Sequence, residues 1–414
     1  MLFSGKTRPR LAKAAWLTIL LAGILLLPVA SRLAAAQGVR NPEPALYFYP
    51  APYRMPSGEI MFSPVTLTAS QITTAFPQIP QMSGVVLMVY WSQLCPRRNE
   101  CDFSIIDDAL SYWRSKGKKV VLGVVTVAHP LALGENEDEL ISATPEWVLH
   151  SVATYTQAAR ILTPVHRGRP PPPAHEAVFP VYWDPVFIAE VRRLIASLAR
   201  FDGDPALAQI RICTGIMCED NPTWDGLRSA MPGFSNAAWI DYSRKIVDFF
   251  AASFHKTQIE FDIDRMGFIS VSRSLDDRQA VAGFMNHLLQ RRVFLAMDGL
   301  DQDNVAHWLS GDAYGPAASL GWVARFEQAG LPVGVEGATS FNPRWTDLNA
   351  IVGAISRLHP SRLVLFGDWA ALLDYARSGQ AGSTVTETIS PARIPELTAK
   401  ARALMDLLGR TQPH

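Results

Sequence analysis

Two glutamates stand where carboxylate chemistry could be done. Glu219 follows the apolar run IRICTGIMC, and Glu336 sits in LPVGVEGATS. By strand count they belong to the fourth and seventh of eight strand-helix units. A pair of carboxyl groups facing one another across a barrel mouth suits cleavage of a glycosidic bond. One protonates the leaving oxygen, and the other attacks the sugar or stabilises its cationic transition state. Glu336 carries the stronger signal, because a charge inside an apolar, glycine-flanked strand end is costly unless it is paired or used. The adjoining glycines would also admit a ligand close to the backbone. Glu219 opens the polar break EDNPTW, where an ordinary loop acid or helix cap is the plain alternative.

Other residues at the predicted strand ends fit the same chemistry. They are Trp91, Thr126 with His129, Asp220, Asp262 with Asp264, Asp298, and Asp368 with Trp369. Such a ring is rich in carboxylates and aromatics, and the lysines, arginines and glycine loops that phosphoryl transfer requires are scarce in it. Trp91, Trp183, Trp224 and Trp369 fall near loop ends, where indole rings can stack on sugars, although packing is the commoner use of any one of them. His129, Asp262 and Asp298 complete the candidate substrate-binding set. Glu260, Asp262 and Asp264 alternate along one strand and so share a face. A barrel core cannot hold three unpaired carboxylates, so basic partners such as Arg211 or Arg265 are expected, and a structural or orienting role suits the three acids better than chemistry. No loop motif supports calcium and no cysteine-histidine spacing supports zinc, so neither a metal nor a cofactor is expected.

These residues need a frame, and one pattern supplies it: a short β-rich run, a loop, then an amphipathic stretch. The strand candidates are Ala45–Tyr49, Gly84–Trp91, Lys119–Val127, Ala208–Ile216, Gln258–Asp264, Arg292–Asp298, Leu331–Glu336 and Arg362–Phe366. Between them, SIIDDALSYWRSKG begins at Ser104 and ends at Gly117. DPVFIAEVRRLIASLARFDG has Asp184 as its cap, Pro185 in its first turn and Gly203 as its stop. Asn236 is the expected cap of the next helix and Ser274 of the one after, with a last helix near Pro395 to Leu408. Alternation of this kind predicts an α/β fold, a (β/α)8 TIM barrel with a long loop after strand 3. An open doubly wound sheet is the alternative, but no glycine-rich phosphate loop follows a strand. The long connection, Ala128 to Trp183, contains TPEW, a helix candidate near Val148–Ile161 and the stiff run RPPPP. Connections of that length often form lids or walls of a site.

Composition sets the remaining bounds. The chain has 414 residues, 48% of them hydrophobic, enough for one large barrel core. Lys+Arg and Asp+Glu balance at 38 each, so no global field draws nucleic acid or an anionic membrane. Lys6, Arg8, Arg10 and Lys13 precede an apolar run from Ala14 to Ala30, and Ala34-Ala35-Ala36 has the small-residue pattern of a cleavage site. Residues 1–36 are therefore expected to be an export signal, 37–44 a linker and 45–414 a single barrel, secreted or periplasmic. An uncleaved anchor facing outward is the alternative, since the run is about 17 residues long. Four cysteines suit an exported protein with few bridges. Cys95 and Cys101 could close a small loop around PRRNE, whereas Cys213 reads as a buried thiol and Cys218 as a free one.

The chain also resembles the clan A glycoside hydrolases, particularly barrels of the family 42 β-galactosidase type. VYWSQL followed by CDFSIIDDALSYWRSKGKKVVLGVVT is similar to their second and third units. ATPEWV is similar to the element after their third strand, and VYWDPVFIAEVRRLIASLARFDGDPALAQIRI to the approach to their acid/base. The resemblance is good from Gly84 to Thr223 and rests on strand order elsewhere. It implies retaining hydrolysis of an oligosaccharide or polysaccharide, with Glu219 as acid/base and Glu336 as nucleophile. Cys218 departs from the asparagine that usually precedes the acid/base. The competing expectation is a non-catalytic barrel that binds polysaccharide or assists its export.

Overall fold

The computed structural model describes residues 45–49, 53–54, 60–61, 82–127, 142–159, 175–216, 218–222, 231–263, 275–300, 319–337, 355, 357–365, 395, 399 and 402. Eight strands form a closed barrel: β1 (Ala45–Phe48), β2 (Met82–Tyr90), β3 (Lys119–Val125), β4 (Leu207–Ile212), β5 (Gln258–Ile263), β6 (Phe294–Leu300), β7 (Val333–Gly337) and β8 (Arg362–Leu365). Each pairs in parallel with its sequence neighbours, and β1 closes on β8 from Ala45↔Arg362 to Phe48↔Leu365. All eight predicted strands are present, with ends shifted by a few residues, and the fold is the (β/α)8 barrel.

Alternation within the strands divides the core in two. One set of side chains, including Val85, Leu87, Ile210, Phe261 and Val335, packs outward against the helices. The other set faces the lumen and includes Tyr47, Tyr49, Val86, Met88, Tyr90, Val121, Val125 and Val364. The helices are α1 (Ser104–Ser115), α2 (Pro185–Leu198), α3 (Asn236–Ser253), α4 (Leu275–Gln290) and α5 (Leu320–Gln328). In α1 the buried residues Ile106, Ala109, Leu110 and Trp113 recur at helical spacing. Asp184 caps α2 as expected, accepting from the Val186 and Phe187 amides at 2.7 and 3.3 Å. The cap of α3 is Ser235, one residue before the expected Asn236, and Asn236 instead donates to Asp277 of α4 at 2.7 Å. Ser274, Arg265 and nearly all of the predicted last helix lie outside the described residues.

The expected helix near Val148–Ile161 is corrected. A single helical turn, Glu146–Leu149, is followed by a strand, Thr154–Ala159, paired antiparallel with His175–Pro180. The segment Thr154-Tyr155-Thr156 alternates in the period of a strand, and Tyr155 lies opposite Phe179, their rings stacked at 5.7 Å. The long connection after β3 therefore contains a pair of antiparallel strands. Among the described residues no helix is long and apolar enough to cross a membrane. The Ala14–Ala30 run lies outside them.

Candidate active site

Glu336 lies in β7, 4% exposed, with its side chain in the lumen. A carboxylate can be buried there because Arg211, in β4 and 1% exposed, reaches it: Nη2 donates to Oε2 at 2.6 Å. Tyr49, one residue past β1, donates its hydroxyl to Oε1 and accepts from Arg211 Nη1 at 2.9 Å. The same guanidinium meets two further acids, both in β5. Its Nε donates to Glu260 Oε1 at 2.9 Å, and Nη1 lies 3.0 Å from Asp262 Oδ2. Arg362, at the start of β8, binds the other oxygen of Glu260 as well as Gln209. The cross-strand pairing Arg211↔Glu260 sets this register.

Three carboxyl groups and two guanidinium groups in a closed lumen cannot all be charged without leaving one negative charge unmatched. Burial would raise Glu260, but Arg362 and Arg211 outweigh it and hold its carboxyl below the usual range. Asp262 moves the other way. Burial first, and then the charge of Glu336, push it well above the ordinary carboxyl range despite Arg211. A proton on Asp262 would reduce the unmatched negative charge in the lumen. Asp262 Oδ1 is buried and has no hydrogen-bond partner among the described residues. Burial, together with Glu336, keeps the Tyr49 hydroxyl well above its ordinary range, so it remains a donor.

Glu219 arrives by a different route. Beyond β4 the chain turns through Gly215 and comes back on itself: Gly215 N–H donates to Glu219 O at 2.9 Å, and Ile216 N–H to Asn221 O at 3.0 Å. A β-carbon at Gly215 would overlap Asn221 O, so this approach requires glycine. Cys213 and Cys218 are joined in a disulfide, which corrects the expectation of a buried and a free thiol; Cys95 and Cys101 form the second. Cys218 has φ 67, in the left-handed region. Glu219 is half-buried, Asn221 Nδ2 lies 3.4 Å from its Oε2, and its charge adds to those that raise Asp262.

The remaining candidates separate. Asp262 joins the lumen cluster, and Asp298, half-buried in β6, accepts from the Gly299 amide at 2.5 Å. Trp183 is half-buried just before α2, its ring 6.1 Å from Phe234. Trp91 is 2% exposed and packs between strand and helix layers, 6.0 Å from Trp147 and 6.3 Å from Phe187. His129, Trp224, Asp264, Asp368 and Trp369 lie outside the described residues. Tyr49 and Arg362 belong to the site without having been singled out. Their signals were a tyrosine pair at i and i+2 in the first strand and an arginine opening the apolar run LVLF.

No protein-family model matches the chain, and no curated protein does either. Among solved structures, it is similar to an endo-glycoceramidase II from Rhodococcus sp., seen as a lactosyl-enzyme intermediate, at 11% identity and TM-score 0.44, over 79% of this chain and 73% of that one. It is also similar to the xylanase XynB from Paenibacillus barcinonensis, complexed with a conduramine derivative, at 11% identity and TM-score 0.40, over 73% and 82%. A β-galactosidase from the psychrophilic Marinomonas ef1 aligns at 11% identity and TM-score 0.41, over 78% of this chain and 56% of that one. At these levels the likeness names no substrate or reaction for this chain, and the barrel assignment stands on its own strand pairing.

Proposed function

We propose that the protein is an exported glycoside hydrolase that cleaves O-glycosidic bonds of an oligosaccharide or polysaccharide with retention of configuration. Glu336 attacks the anomeric carbon while Glu219 protonates the departing oxygen. Glu219 then takes a proton from water, and that water releases the sugar from Glu336. The supporting observation is the setting of Glu336, a carboxylate at the end of a barrel strand, oriented by Arg211 and Tyr49 before any substrate arrives. Preorganised groups of this kind need no rearrangement as charge develops. The family 42-type resemblance carries the same pair of roles. Asp262 and Asp298 would meet sugar hydroxyls, and Trp183, with His129, Trp224 and Trp369, would line the approach; Trp91 would act through packing alone. Two disulfides suit the oxidising compartment that residues 1–36, read as a signal, would lead to.

The test is turnover of aryl glycosides, with the configuration of the first-formed product followed by proton NMR. Retention by the parent and loss of turnover in Glu336→Gln are expected, as is a carboxyl separation of about 5–5.5 Å in a crystal structure. Inversion, or unchanged turnover in Glu336→Gln, would overturn the assignment. A binding-only barrel is the second reading, because Arg211 and Tyr49 already engage both oxygens of Glu336. Oligosaccharide binding by the parent with no reducing sugar released would decide for it.

A further inference from the structure

We infer that the Cys213–Cys218 bridge is a positioning element for Glu219, fixing the backbone from which the acid/base reaches the barrel mouth. The inference rests on the reading of Glu219 as acid/base. Glu219 is the residue after Cys218, so the left-handed turn at Cys218 sets the direction in which its side chain leaves the chain. That conformation costs a residue with a β-carbon about 1–2 kcal/mol and must be held by something. The bridge holds it from the side, tying Cys218 back to the residue immediately after β4.

The bridge has a built seat. Both cysteines are 1% exposed and belong to the lumen cluster. A β-carbon at Gly123 of β3 would lie 3.4 Å from Cys218 Sγ and would run into Met88. The strand is thus bare where the sulfur lies. The rest of the loop is tied on other sides, by the Val127↔Ile216 bridge to the chain beyond β3 and by Tyr182, whose hydroxyl donates to Pro222 O at 2.9 Å. A disulfide in this position restricts the backbone that carries Glu219 and adds no charge of its own.

The test pairs two β-glycosides of one sugar: the dinitrophenyl glycoside, whose leaving group departs without a proton, and the methyl glycoside, whose leaving group cannot. Galactosides are tried first, then glucosides and xylosides. Cys213→Ala/Cys218→Gly removes the bridge while giving position 218 a residue at ease in the left-handed region. Glu219→Gln is the reference, and Cys95→Ala/Cys101→Ala controls for the loss of a disulfide elsewhere. The bridge variant and Glu219→Gln should each lose about 100-fold in kcat/KM on the methyl glycoside. Both should stay within about threefold of the parent on the dinitrophenyl glycoside. In the Cys95→Ala/Cys101→Ala background, phosphine reduction should produce the same split and reoxidation should reverse it.

Equal losses on both glycosides, or none, in a bridge variant beside a split in Glu219→Gln would overturn the inference alone. No split in Glu219→Gln would overturn the acid assignment and the inference with it. Crystal structures of the bridged and unbridged proteins give a reading that needs no substrate. A displacement of the Glu219 carboxyl by about 1 Å or more supports the inference, and an unmoved carboxyl overturns it.

Discussion

Glu336 is carried by a strand and gripped by a guanidinium from another strand and a phenol just past a third, whereas Glu219 is carried by a loop closed by a disulfide and by its own backbone. The two moorings suit the two duties proposed for these acids. The proposed nucleophile needs its place fixed before it attacks, and Arg211 and Tyr49 do that for Glu336. An acid/base has to change charge twice in each turnover. A covalent tie beside it restricts position and adds no charge of its own.

The largest expected effect tests the electrostatic side of that contrast. Glu336→Gln keeps the shape and removes the charge, and it should lower kcat by at least about 10³-fold, read with an aryl glycoside. Arg211→Met strips the shared cation from three acids. A loss of about 3–5 kcal/mol in a urea titration is expected, because unmatched charge is left in a closed lumen. A loss below about 1 kcal/mol would mean that Arg211 is not what holds the acids together.

The covalent side is sharpened by the second disulfide. Cys95→Ala/Cys101→Ala opens a loop of nearly the same length and should cost about 2 kcal/mol of stability with kcat unchanged. A fall in kcat there would blur the distinction between a bridge that holds the fold and one that holds the acid. Tyr49→Phe should lower kcat about tenfold, the worth of one hydrogen bond to a charged group, with KM little altered.

The smallest effect concerns proton count. Folded Asp262 keeps a proton that the unfolded chain gives up above the ordinary value of 3.8. Its contribution to stability is therefore full below that value and is lost as pH rises toward its raised folded value. Relative to Asp262→Asn, the parent should become less stable as pH rises above the ordinary value of 3.8, followed by urea midpoints. Parallel profiles would place the proton on another member of the cluster.

The barrel was legible because each strand is a short apolar run bounded by polar punctuation, and parallel strands buried on both faces have to read that way. Glu336 was legible for a related reason, since a charge in such a run demands a partner. Arg211 was named as a partner for the β5 acids, but its reach to Glu336 was not, because side chains on β4 and β7 meet only once the barrel closes. The Cys213–Cys218 pair was hidden by local backbone. Their Cα atoms come within 3.8 Å through a left-handed residue, and neither the spacing nor the residue type announces that turn. The strand at Thr154–Ala159 does not announce itself, because so short a segment satisfies helix and strand periods almost equally, and its partner strand decides.

The lumen cluster also bears on the order of folding. Tyr49 and Glu336 are 287 residues apart in sequence, Tyr49 and Arg211 162, and Arg211 and Glu336 125. Contacts this distant in the chain form only after the intervening loops have closed, and they make folding slow. Glu336, Arg211 and Tyr49 should come together in the last step, so substitutions among them should speed unfolding and leave the refolding rate nearly unchanged in stopped-flow traces. An unfolded chain carries these side chains in water, exposed and harmless, and acquires its site only when the cylinder shuts.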